Sequence, residues 1–165
     1  MKKANFLDKL KKEGKLELVE PSEEMKISYL QKAENCFKSA KLLFQNQLYE
    51  NSTSEAYYCM YNSLLALLFK TGIKSENHSA SIIILKKLFR ADALYNIISL
   101  AKEERIDKQY YVESQQIVKA TKESCNDMVI KSEDFLIKTK LLISQLNNQK
   151  IDLIRNSFNN LFEKF

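Results

Sequence analysis

The chain has 165 residues, 45% of them hydrophobic, and a net charge of +5, which fits one domain with its own core and excludes a disordered chain. Only two glycines (Gly14, Gly72) and one proline (Pro21) are present, so turn-rich sheet folds and Gly-rich phosphate loops are excluded. A single histidine excludes a multi-histidine zinc site, and only three of the 26 basic residues are arginine, the usual bidentate reader of phosphates and bases.

In chain order, Asn5 to Glu13 is a short amphipathic segment, carried by Phe6, Leu7 and Leu10 and closed by Gly14 in a left-handed turn. Residues 15–21 read as a linker. The first main helix starts at Ser22, a serine cap followed by Glu23 and Glu24, and runs to about Gln47. Leu30, Ala33, Phe37, Ala40 and Phe44 recur at spacings of three and four and form its buried stripe. The second helix is expected to start at Ser52, with Glu55 completing a capping box, and to end at Gly72. From Ala56 to Phe69 it is uncharged and apolar nearly all round, as a central or interface helix would be, and too short to span a bilayer.

Residues 73–78 read as a loop. A third helix covers Ser79 to Phe89, and Asp92 caps a fourth that holds Leu94, Ile97, Ile98 and Ala101. Residues 105–120 look irregular. A fifth helix runs from Thr121 to about Leu146, with Met128, Phe135 and Leu142 seven apart. After Asn147-Asn148-Gln149, the tail places Ile151, Ile154, Phe158, Leu161 and Phe165 on one stripe, to be buried against its own bundle or a partner. The expected fold is all-α: an up-and-down bundle of four to five main helices over 21–147, an N-terminal amphipathic segment and linker over 1–20, and a C-terminal amphipathic helix over 148–165.

Cys36, Cys59 and Cys125 lie far apart within apolar helical patterns, so buried free thiols and a reducing, cytoplasmic setting are expected. Residues 1–20 lack the apolar stretch of a secretory signal, and no membrane contact is expected. No cofactor is implied. The side chains able to carry chemistry are few. His78 lies just before the third helix, where it can cap or pack, or act as a base or phosphate contact. Tyr57, Tyr58 and Tyr61, with Asn62, lie on the second helix; at helical spacing the three phenols point to different faces and suit packing or base stacking. Lys102 to Tyr111 places Arg105, Lys108, Tyr110 and Tyr111 in what reads as an irregular connection, either salt-bridged or able to meet a nucleotide or partner.

Three stretches carry a family resemblance: Tyr29 to Leu43, Ala56-Tyr-Tyr-Cys-Met-Tyr-Asn-Ser-Leu-Leu-Ala66, and Gly72 with Asn77-His78-Ser79. They resemble the HEPN domain family of archaea and bacteria over roughly residues 15–147, and Lys102 to Tyr111 resembles an archaeal branch of it. The resemblance implies a helical bundle that commonly dimerises beside a minimal nucleotidyltransferase in toxin–antitoxin pairs. Many members are metal-independent ribonucleases. Their site pairs an arginine with a histidine four to six residues later, across a dimer, and a nearby tyrosine can accept AMP. Here His78 precedes Arg90, Arg105 and Arg155, so that motif cannot form. The expectation is therefore a non-catalytic binding module, a homodimer that engages a nucleotidyltransferase partner and a nucleotide or RNA. The alternatives are a ribonuclease built on His78, Arg105 and Tyr111, and a purely structural oligomerisation domain.

Overall fold

The computed structural model describes residues 3–110 and 120–162, with side chains from Phe6 to Arg105 and from Ala120 to Phe162. Its described part is an all-α bundle: α1 (Lys3–Lys12), α2 (Glu23–Gln45), α3 (Tyr49–Lys70), α4 (His78–Phe89), α5 (Asp92–Tyr110), α6 (Lys122–Ser144) and α7 (Asn148–Asn160). A small ribbon, β1 (Leu16–Leu18) with β2 (Ile73–Ser75), is attached to it.

Several helices open on side-chain caps, but Asp92, expected to cap the fourth helix, is instead the first residue of α5. Ser22 accepts from the Met25 amide to open α2, Asn77 from Ala80 to open α4, and Asn147 from Lys150 to open α7. Thr121 and Ser124 exchange bonds in a capping box that opens α6. The start of α3 differs. The helix begins at Tyr49 after Leu48, without a side-chain cap, and Ser52 lies inside it. The Ser52 hydroxyl is fully buried and donates to the Ala40 carbonyl of α2 at 2.7 Å, so it joins two helices instead of opening one.

The expected linker and loop also differ. Leu16-Glu17-Leu18 pairs antiparallel with Ile73-Lys74-Ser75, in the register Leu16↔Ser75 and Leu18↔Ile73. Alternation explains it: Leu16 and Ile73 are fully buried, while Glu17 and Lys74 face outward and pair at 3.1 Å. The stretch expected to be irregular after Lys102 continues as helix to Tyr110. Residues 111–119 lie outside the described part.

α3 is the axis of the bundle, with α2 and α6 packed along it and α5 and α4 across it. Its apolar circumference is therefore covered within the chain: Tyr57, Met60, Leu64, Leu67 and Leu68 are fully buried. α7 packs back on the same molecule, burying Ile151 and Phe158, with Ile154 and Leu161 half-buried. Arg155 fixes it. Its Nη1 donates to the carbonyls of Val19 at 2.7 Å, Gly72 at 3.1 Å and Thr71 at 3.2 Å, tying α7 to the ribbon and to the end of α3. Gly72 has φ +69°, and a Cβ there would collide with Arg155 Nη1 and the Val19 carbonyl.

Candidate functional site at the junction of α3, α4 and α5

On α3 the four-residue step from Tyr57 to Tyr61 sets two phenols on one face, while Tyr58 is turned toward α5. Asn77 caps α4 and so fixes His78 as its first residue. The imidazole stacks on Tyr61, with ring centres 3.7 Å apart and planes inclined by 16°. Its Nδ1 lies 2.7 Å from the Tyr57 hydroxyl. Burial pushes the phenols of Tyr57 and Tyr61 upward, so both stay protonated and able to donate.

α5 brings the cations. Arg105 Nη2 donates to the Tyr58 hydroxyl at 2.9 Å, and its guanidinium carbon lies 4.7 Å from the Tyr58 ring centre and 5.2 Å from that of Tyr57. Arg105 Nε is buried and has no hydrogen-bond partner among the described residues. One turn earlier, Lys102 Nζ donates to Ser79 Oγ at 2.5 Å. Burial, then the positive charges of Arg105 and Lys102, lower the His78 pKa to about 4. At neutral pH the junction is thus a neutral imidazole and phenol hydroxyls beside two cations. That composition suits holding an anion. A general base works best near the operating pH, and this imidazole lies far below it with Nδ1 already engaged.

Of the residues singled out in the sequence, Tyr57, Tyr58, His78 and Arg105 meet here. Asn62 does not; its amide points to α2, 3.7 Å from Cys36 Sγ. Lys108 and Tyr110 fall on α5 with side chains outside the described part, and Tyr111 lies outside it altogether. Tyr61, Lys102 and Ser79 complete the cluster. Tyr61, expected on a different face from Tyr57, instead shares its face, the two rings stacked with centres 6.3 Å apart, and Lys102 is the residue one turn before Arg105. The Lys102–Ser79 contact is set by how α4 and α5 pack, which no local spacing reveals. The three thiols are free, Cys59 and Cys125 buried and Cys36 half-buried, and burial raises Cys36 to about 11 and Cys59 to about 12. Among the described residues no three His, Cys, Asp or Glu side chains gather as a metal site would require.

Comparison with known families matches residues 28–142, more than half of the chain, to the HEPN domain. The chain belongs to the HEPN domain family. The matched span includes α3, α4 and α5, hence the whole junction, and leaves β1 and the α7 clamp outside. Three relatives are similar to this HEPN chain. One, from Methanocaldococcus jannaschii and named as a candidate toxin, is 26% identical over 69% of this chain and 85% of its own length. A UPF0332 protein of Archaeoglobus fulgidus is 28% identical, over 70% and 93%. A UPF0332 protein of Thermotoga maritima is 22% identical, over 70% and 88%. No described helix of this HEPN chain is long and apolar enough to cross a membrane.

Proposed function

We propose that this HEPN chain is a non-catalytic binding module whose α3–α4–α5 junction holds a phosphate group of a nucleotide or RNA. We further propose that it acts as a homodimer beside a minimal nucleotidyltransferase, in a toxin–antitoxin-like pair in the cytoplasm. The observation that carries the binding reading is the pairing of Arg105 and Lys102 around a neutral His78, two cations with phenol donors at a half-buried surface. The toxin-like pairing is supported by the name of the Methanocaldococcus relative. The three free thiols support a reducing compartment. For the dimer the support has moved from the second helix and the tail, both covered within the chain, to α6. There Ile130, Ile137 and Leu141 share one stripe and are 58%, 60% and 56% exposed.

A ribonuclease is the second reading, favoured by one observation: Arg105 stands near enough to His78 to depress its pKa. One experiment separates the two. Purified protein is tested for RNA cleavage and, by calorimetry, for AMP binding, beside His78→Ala and Arg105→Ala. The module predicts no cleavage that depends on either residue, and AMP binding weakened about tenfold by Arg105→Ala, the loss of one charged hydrogen-bonding partner. Cleavage by the wild type that both substitutions abolish would establish the enzyme instead.

A further inference from the structure

Away from the junction, the α4–α5 hairpin holds a second cluster of cations. A pocket of about 470 Å³ is lined by Ile83, Lys86, Lys87, Arg90, Asp92 and Tyr95. Three cations face a single carboxylate there, and the Lys86 ammonium lies 4.6 Å from the centre of the Tyr95 ring. Helical spacing joins this pocket to the junction. Ser79, Ile83 and Lys86 follow one another at steps of four and three, one stripe of α4, and Arg90 caps the helix just beyond it. Tyr95 and Lys102, seven apart, form the facing stripe of α5. The two stripes touch at both ends, through Lys102 and Ser79 near the junction and through Lys86 and Tyr95 at the pocket. From residue 79 to residue 90 the track is roughly 16 Å long, at 1.5 Å per helical residue.

Arg90 adds an independent observation. Its φ is +51°, the left-handed conformation that favours glycine at a helix end, yet the position carries an exposed arginine. A strained residue of this kind points to a use for its side chain.

We propose that the α4–α5 hairpin is a track for single-stranded RNA. Lys102, Lys86 and Arg90, with Lys87 at the rim, follow successive phosphates, and an unpaired base displaces the Lys86 ammonium to stack on Tyr95. The proposal rests on the reading of the junction as a phosphate site and extends it: a mononucleotide fills the junction alone, whereas a strand reaches both ends. The half-buried Tyr95 ring, covered by the Lys86 ammonium that a base would displace, favours an unpaired base over a duplex or an acidic protein segment.

The test uses the full chain and a labelled single-stranded oligoribonucleotide of about 12 nucleotides, followed by fluorescence anisotropy across a salt series. The double variant Lys86→Ala/Arg90→Gly removes two cations and places glycine where the backbone favours it, so thermal melting should show a folded protein. It should bind the RNA about tenfold or more weakly, and the slope of log affinity against log salt should flatten by about 1.4, at 0.7 per lost phosphate contact. AMP binding should stay unchanged in the double variant and weaken in Arg105→Ala. Unchanged RNA affinity and slope in the double variant, with RNA binding still weakened by Arg105→Ala, overturns the track and leaves the junction standing. RNA binding indifferent to all three substitutions, or absent from the wild type, overturns the track, and AMP binding indifferent to Arg105→Ala overturns the junction as well. Polyglutamate that competes as well as RNA at equal charge overturns the track in favour of an acidic protein surface.

Discussion

Arg155 directs one guanidinium nitrogen at three carbonyls of its own chain, whereas Arg105 meets a phenol and two aromatic faces and keeps a buried Nε without a described partner. Both residues are half-buried. Buried carbonyls want a donor whatever the protein does, so an arginine whose Nη1 is shared among backbone carbonyls is a structural tie. Contacts with ring faces and one hydroxyl leave a guanidinium with unused donors, and such a side chain can accept an anion. The structural arginine lies outside the matched HEPN span and the open one inside it.

The sharpest way to break this comparison is at Gly72, beneath the Arg155 clamp. Gly72→Ala puts a methyl group against Arg155 Nη1 and the Val19 carbonyl, with the Pro21 nitrogen at 2.9 Å, on a backbone held at φ +69°. Left-handed strain and the loss of the clamp together should cost about 3 kcal/mol or more, read as a lower midpoint in urea unfolding. A midpoint near that of the wild type would mean that α7 is not held as described.

The second break is a matched pair. Arg155→Ala takes the clamp's donor from the Val19 and Thr71 carbonyls, while the Gly72 carbonyl keeps the Val19 amide, and should cost about 2 kcal/mol. Arg105→Ala removes one bond to a phenol and two ring contacts, and should cost about 1 kcal/mol while weakening AMP binding. Urea midpoints of the two variants, measured side by side, check the ordering. If Arg105→Ala is the more destabilising, the junction is a structural tie as well and the binding reading loses its support.

How far the sequence announced these two arginines follows from the kind of interaction each makes. The junction is half legible: the position of His78 before α4 and Arg105 within the charged stretch after Lys102 are local patterns, whereas the shared face of Tyr57 and Tyr61 runs against the expectation of different faces. Arg155 was read only as a tail residue, because its partners Val19, Thr71 and Gly72 are distant in sequence and are backbone groups, which leave no mark on residue identity. The ribbon was missed for a related reason. Three residues on each side are too few for alternation to stand out, and Leu16 and Ile73 specify a strand only once each has found the other. Ser52 misled because a serine ahead of a helical pattern has the same spelling whether it caps its own helix or donates to a neighbouring one.

A pH profile tests the electrostatics of the junction directly. His78 is the only histidine, so between pH 6.5 and 5 it is the one side chain whose ordinary range is crossed. Its folded-state pKa is about 4, below the ordinary 6.5, because burial and the neighbouring Arg105 and Lys102 charges disfavour the imidazolium. The unfolded chain therefore takes up the proton first. The neutral histidine's contribution is present in full above pH 6.5 and is lost as pH falls toward 4, with stability rising with pH throughout that window. Allowing for screening of a half-buried group, the whole swing is about 2 kcal/mol. Melting temperature should thus drop by a few degrees between pH 6.5 and pH 5 in the wild type and stay nearly level in His78→Gln. In Arg105→Ala the drop should shrink, since one of the two cations that hold the imidazole neutral is gone. A wild-type profile as flat as that of His78→Gln would show that the imidazole titrates at its ordinary value. The charge pressure taken as the mark of an anion site would then not exist.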